Sequence, residues 1–108
     1  YEQVKLKLIQ NQQDIKVKEN ELMIKTNTYQ QEVENYNEQI SLAEQNFNNY
    51  EKLLKAEETK FENGESSIFL INSRENKKIS AQEKLINLKA KMIKSYNKLK
   101  WMSESVAQ

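Results

Sequence analysis

The residues best suited to chemistry in this chain are three neighbouring glutamates, Glu57, Glu58 and Glu62. Carboxylate oxygens are ligands for divalent cations, so weak binding of such a cation is one interpretation of this acidic cluster. The alternative interpretation is a solvated helix face, which the sequence favours because charged residues surround the cluster. The chain has no His and no Cys, which removes imidazole and thiol chemistry and the usual zinc ligands. We therefore predict neither a metal site nor a cofactor.

No other set of side chains has the spacing of a catalytic site. Carboxylates are spread along the chain, no nucleophile adjoins a base, and no glycine-rich loop precedes a helix. The sequence predicts that this chain is not an enzyme. Its function must then depend on the long elements that carry these residues.

Charge is divided unevenly along the 108 residues. Residues 1–65 carry 13 acidic residues and 8 lysines, whereas residues 66–108 carry 3 acidic residues against 8 lysines and Arg74. If the halves fold against each other they attract, although each exposed pair is worth less than about 1 kcal/mol. The lysines would then face an acidic partner, so nucleic-acid binding is not expected. No apolar run approaches the about 20 residues of a membrane-spanning helix.

The only glycine, Gly64, divides the chain, which contains no proline. Asn63 and Gly64 between two helical patterns predict a helix stop, because glycine adopts the left-handed conformation without a Cβ penalty. Ser66 or Ser67 then offers a hydroxyl that caps the next helix. We predict an all-α helical hairpin: a first helix over residues 1–62, a tip turn over 63–66 and a second helix over 67–106.

Apolar residues of the first half recur in alternating steps of four and three, the period of 3.5 that is typical of coiled coils. The predicted seam residues are Tyr29, Val33, Tyr36, Ile40, Ala43, Phe47, Tyr50 and Leu54, joined from the second half by Leu85, Met92, Tyr96 and Leu99. Tyrosine suits a seam that water partly reaches, so we interpret these tyrosines as packing residues. Near the start, Val4, Leu6 and Leu8 alternate with lysines as in a strand, but helix from about Glu2 is the favoured interpretation.

The second half has apolar residues on more than one face. Ile79, Ile86 and Ile93 form a heptad row beside the seam, and a helix that is apolar over a wide arc needs a second neighbour. We expect self-association or contact with the rest of a larger protein. Pairing about Gly64 brings Tyr36 level with Met92 and leaves residues 1–22 without a partner in the hairpin.

Four successive large apolar residues follow the turn, Ile68 to Ile71, and cover every side of a helical turn. An exposed apolar cluster at the end of a rod predicts a docking surface, while burial against other copies of the tip is the alternative. The predicted docking residues are Phe61, Asn63, Gly64, Glu65, Ser66, Ser67, Ile68, Phe69 and Leu70.

The segment 60–75, KFENGESSIFLINSRE, resembles the tip of TolC-type outer-membrane efflux proteins, in the style of their Bacteroidetes members. The similarity continues through residues 81–86 and from Lys89 to Trp101, and upstream through residues 5–7 and 16–22. The resemblance implies a trimer with a twelve-stranded barrel in the outer membrane and a twelve-helix tunnel in the periplasm. This chain would be the tunnel hairpin of the second repeat, so it would meet the membrane only through other parts of the protein.

The resemblance also implies a role for the tip. In this family the tip meets a periplasmic adaptor protein, which links the duct to an inner-membrane transporter. The tip glycine corresponds to Gly64 and the tip aromatic residue to Phe61. The family's gating arginine falls at Ser66 and a nearby aspartate at Leu70, so its charged constriction is not implied here.

Two other functions fit the same pattern. The hairpin of a periplasmic adaptor also presents a helical tip, and it predicts lipoyl-like strands on both sides of residues 1–108. A coiled-coil scaffold with no transport role needs only the seam.

Overall fold

The computed structural model of the chain describes residues 2–107, without the side chains of residues 105–107. Helix α1 runs over Glu2–Glu62 and helix α2 over Ile68–Ala107, and no strand occurs within residues 2–107. The prediction of an all-α helical hairpin is therefore confirmed. The strand-like alternation near the start is part of α1, because every residue from Glu2 onward continues the same helix. Tyr1, with which the predicted first helix begins, lies outside the described residues.

The hairpin is a thin rod of 94 × 19 × 14 Å. Its length is that of α1, since 61 residues at about 1.5 Å each give about 92 Å. Helix α2 has 40 residues and pairs with the part of α1 nearest the turn. Residues 2–21 of α1 extend beyond this pairing, and all of them are exposed. In the described part of the chain, neither helix is long and apolar enough to cross a bilayer.

One narrow seam joins the helices. In α1 a line of buried and half-buried side chains follows alternate steps of four and three, and Glu32 and Glu51 are half-buried beside it. The line consists of Leu22, Thr26, Tyr29, Val33, Tyr36, Ile40, Ala43, Phe47, Tyr50, Leu54 and Glu57. In α2 such a line follows the same steps at Ile71, Arg74, Lys78, Ala81, Leu85, Leu88, Met92, Ser95, Leu99 and Met102. This period keeps each seam turned toward the other helix along the whole overlap.

The best-packed part of the seam lies near its middle. Ile40, Ala43 and Leu88 form a buried cluster, against which Tyr36, Leu85 and Met92 pack. Tyr36 and Met92 thus meet at the level that pairing about Gly64 predicts. Even here no side chain falls below 2% exposure, because two helices cannot surround a residue on all sides. The structure is a seam and not a closed core.

Tyr96, a predicted seam residue, lies outside the seam with 53% of its surface exposed. Its neighbour Ser95 is buried instead, and its hydroxyl donates a hydrogen bond of 3.2 Å to a carboxylate oxygen of Glu32. The physical reason is the order of the steps. The seam advances by three from Met92 to Ser95 and by four to Leu99, so Tyr96 falls on the flank.

The apolar row beside the seam faces solvent in this hairpin. Ile79, Ile86 and Ile93 are 45%, 57% and 54% exposed. Their Cβ atoms lie on one line along α2 because they are seven residues apart. This row is available to a second neighbour, as the wide apolar arc of the sequence predicts.

Candidate docking site at the hairpin tip

Two backbone hydrogen bonds end α1 in a tight turn. Gly64 donates its N–H to the carbonyl of Phe61 at 3.0 Å, and Glu65 donates to the carbonyl of Lys60 at 2.7 Å. This pair of bonds is a Schellman motif. Gly64 takes a φ of +76°, the left-handed conformation that the motif requires. The turn therefore has one defined geometry, set by a single glycine.

A serine begins α2. The hydroxyl oxygen of Ser67 accepts a hydrogen bond of 3.3 Å from the backbone N–H of Leu70. The first helical backbone bond follows at once, from the N–H of Ile71 to the carbonyl of Ser67 at 3.1 Å. Ser67 is thus the N-cap, and it satisfies one of the donors that a helix start leaves unpaired.

A side-chain bond ties the turn to α1. Ser66 donates its hydroxyl proton to a carboxylate oxygen of Glu57 at 2.6 Å, a short charge-assisted bond. Glu57 is only 6% exposed, so this partner stabilises a carboxylate that the fold withdraws from water. The burial of Glu57 differs from the solvated helix face that the sequence favours for the acidic cluster. Its position three residues after Leu54 and seven after Tyr50 is the signal that would have placed it in the seam.

The three glutamates of the acidic cluster point to different surroundings. Glu57 is buried and bonded to Ser66, whereas Glu58 and Glu62 are exposed. In the part of the chain that the structure describes, no group of three acidic side chains has the arrangement of a metal site. Of the three glutamates, only Glu57 stabilises the turn, through its hydrogen bond with Ser66.

The end of the rod carries an exposed apolar surface. Phe69 is 79% exposed and Ile68 is 63% exposed, and both belong to the first turn of α2. Leu70 and Phe61 add to it at 43% and 41%. Phe61 continues the heptad of α1 but is not covered, because the chain opposite it is the turn itself. We name this set, Phe61, Ile68, Phe69 and Leu70, the tip cluster.

The remaining predicted docking residues belong to the turn that presents the tip cluster. Asn63, Gly64, Glu65 and Ser67 are exposed, and Ser66 is half-buried. The structure thus brings all nine predicted tip residues to one end of the rod. Four of them form the apolar surface and five form its frame.

Opposite charge contributes little to joining the helices. Within the described residues, one ion pair crosses between them, from Lys89 to Glu44 at 3.6 Å, and both side chains are about half exposed. Two further lysines lie over aromatic rings of α1: Lys78 is 5.9 Å from the centroid of Phe47, and Lys98 is 5.5 Å from that of Tyr29. Cation–π contacts of this kind are worth about 0.5–1 kcal/mol at exposed sites.

Comparison with protein-family models, with curated proteins and with solved structures found no match. The geometry offers three features: a long thin rod, an exposed apolar tip on a hydrogen-bonded turn, and one exposed apolar row along α2.

Proposed function

We propose that this chain is a hairpin of the periplasmic tunnel wall of a TolC-type outer-membrane export channel, whose tip docks on a periplasmic adaptor of a tripartite pump. One observation carries the proposal. Phe69 and Ile68, the most exposed residues of the tip cluster, stand at the end of a 94 Å rod on a turn that is held in one geometry. Exposed apolar residues at such a position mark a contact with another protein.

The frame of the tip supports docking. A Schellman motif, an N-cap and the bond between Ser66 and Glu57 all restrict the turn. A surface that is ordered before binding loses less conformational entropy on binding, which improves affinity. Ser66 stands where the family has its gating arginine, and here its hydroxyl is used within its own hairpin. We therefore assign Ser66 to holding the turn.

The sides of the rod support a place in a wall. A hairpin that functioned alone would need only its seam to be apolar. Helix α2 has in addition the exposed row Ile79, Ile86 and Ile93. In the proposed homotrimer, neighbouring hairpins cover such rows, and the helices together enclose a water-filled path. The mechanism is passive: the wall guides cargo, and opening comes from sliding of helices past one another.

Sedimentation tests the wall contact. We expect dimers or larger species of the 108-residue chain at micromolar concentration, because the isoleucine row is apolar and unpartnered. Ile86→Glu should shift the distribution toward the monomer without changing helix content, whereas Ile86→Leu should not. A stable monomer of the unchanged chain at this concentration would contradict a role between neighbours.

An export assay tests docking. In the full-length protein in cells, Phe69→Glu should abolish export of a dye, because a charge replaces the most exposed apolar residue of the tip cluster. Phe69→Leu keeps an apolar side chain at the same position and should retain export. Circular dichroism of the purified 108-residue variants should show equal helix content. Normal export by the Phe69→Glu protein would remove the docking assignment.

A further inference from the structure

A groove runs along one flank of the seam, and its lining includes none of the residues of the tip cluster. Its volume is about 360 Å³. The floor includes two small side chains, Ala43 and Ala81, and the walls include Lys77 and Lys84. Asn46, Tyr50, Asn76 and Ser80 complete the lining. The alanines let another backbone approach closely, since neither projects beyond its Cβ atom.

Lysines continue along the same flank of α2. Lys77, Lys84, Lys91 and Lys98 are each seven residues apart, so they form one row with a spacing of about 10.5 Å. All four are exposed. Lys98 lies over Tyr29, but within the described residues none of the other three forms an ion pair. We call this row, together with the groove beside it, the lysine groove.

Helix α1 does not neutralise the lysine groove. Its row on this flank contains Glu32, Gln39, Asn46 and Leu53. Glu32, the one carboxylate of the four, already accepts a hydrogen bond from Ser95. On the opposite flank, Glu44 pairs with Lys89 and Glu51 pairs with Lys55. Glu44 and Glu51 thus have cationic partners, whereas Lys77, Lys84 and Lys91 form no ion pair within the described residues.

We propose that the lysine groove docks an acidic amphipathic helix of a partner protein. A third helix fits a groove between two packed helices when the floor is small, and its apolar row would fill the space above Ala43 and Ala81. A carboxylate every seven residues on that helix meets the lysines in register. This site is separate from the tip cluster and does not depend on the proposed export function. On this flank the lysines of α2 do not face an acidic row of α1, whereas Lys89 on the other flank pairs with Glu44 as the division of charge predicts.

A nucleic acid fits the lysine groove less well. A DNA duplex carries one charge per about 1.7 Å of axis, far denser than a lysine every 10.5 Å or so. It also has no apolar ridge to fill a groove floored by alanine. Helix and duplex can be distinguished directly, by competition for the same site.

A synthetic peptide tests the proposal. The probe is a fluorescent helix of about three heptads, with leucine in one row and glutamate in the next. Anisotropy titration against the 108-residue chain should show saturable binding that weakens with salt. Lys77→Ala, Lys84→Ala and Lys91→Ala together should raise the Kd about tenfold, since each exposed pair changes binding about twofold. Ser80→Trp, which fills the groove and leaves the seam intact, should also weaken binding.

Two controls separate a shaped site from simple charge. Replacing Lys55, Lys89 and Lys100 with alanine changes the net charge equally and should leave the Kd unchanged. A scrambled peptide of the same composition should not bind. The proposal is overturned by absence of binding, by equal binding of the scrambled peptide, by equal loss in both triple variants, or by duplex DNA displacing the probe at lower concentration than unlabelled peptide.

Discussion

Substitution of Gly64 gives the sharpest test of the turn. Gly64 has a φ of +76°, and a Cβ atom added there would meet no other atom within 4 Å. A clash with neighbours is thus absent, and the cost of alanine is the local cost of the left-handed conformation. That cost is about 1–2 kcal/mol, reduced by up to about 1 kcal/mol because alanine also restricts the unfolded chain. We expect Gly64→Ala to lower the free energy of unfolding by about 1 kcal/mol.

Two further substitutions at Gly64 should change the free energy of unfolding by less and by more than Gly64→Ala. Asparagine tolerates the left-handed region, so Gly64→Asn should cost less than Gly64→Ala. Proline fixes φ near −65° and lacks the N–H that Gly64 donates to Phe61. Gly64→Pro should therefore cost about 3 kcal/mol or more.

Urea denaturation followed by circular dichroism measures the series, at one fixed protein concentration because self-association shifts apparent stability. With a slope of about 2 kcal/mol/M, Gly64→Ala should lower the midpoint by about 0.5 M while the slope stays the same. An unchanged or higher midpoint for Gly64→Ala, or asparagine costing more than alanine, would refute the reasoning that the left-handed residue determines the turn.

Three other experiments test the seam, the hydrogen bond between Ser66 and Glu57, and the exposed residues 2–21 of α1. Leu88→Ala should lower the free energy of unfolding by about 2–3 kcal/mol, because Leu88 is buried in the seam cluster. Ile86→Ala should lower that of the monomer by less than about 0.5 kcal/mol, because Ile86 is exposed. Urea denaturation midpoints of the two variants, measured at dilute protein concentration, test this difference. Ser66→Ala should cost about 1–3 kcal/mol by leaving buried Glu57 unbonded, and adding Glu57→Leu should recover most of this loss by the same measurement. Amide hydrogens of residues 2–21 should exchange much faster than those of the seam, because every residue of this stretch is exposed, and equal protection of the two would contradict this expectation.

The reversal of the chain was predictable because turn chemistry is local. One glycine between two periodic segments has few uses other than a left-handed helix stop, and Gly64 adopts that conformation. The serine that follows caps α2 through its own hydroxyl, which involves only Ser67 and Leu70. Interactions between residues this close in sequence do not depend on how the rest of the chain packs.

The flank of each helix was harder to predict, because one residue of error changes the face. Tyr96 is larger and more apolar than Ser95, and composition alone favours it for the seam. The helical phase set by Met92 and Leu99 selects Ser95 instead, and Glu32 then supplies the hydrogen bond that a buried hydroxyl needs. Glu57 shows the same effect, since its position in the heptad outweighs its charge. The heptad positions of Ser95 and Glu57 place both residues in the seam, although neither is of an apolar type.

Helix α2 presents three rows in three directions, and this argues for more than one neighbour. Leu85 and Leu88 face α1 in the seam, Ile86 faces solvent on one side, and Lys84 lines the groove on the other. A hairpin that served only to bring its own two ends together would need the first row alone. The second row is apolar, and the third is basic, with no ion pair at Lys77, Lys84 or Lys91 in the part of the chain that the structure describes. The isoleucine row and the lysine groove lie on different sides of α2. A neighbouring hairpin on the first and an acidic helix in the second would therefore bind α2 without competing.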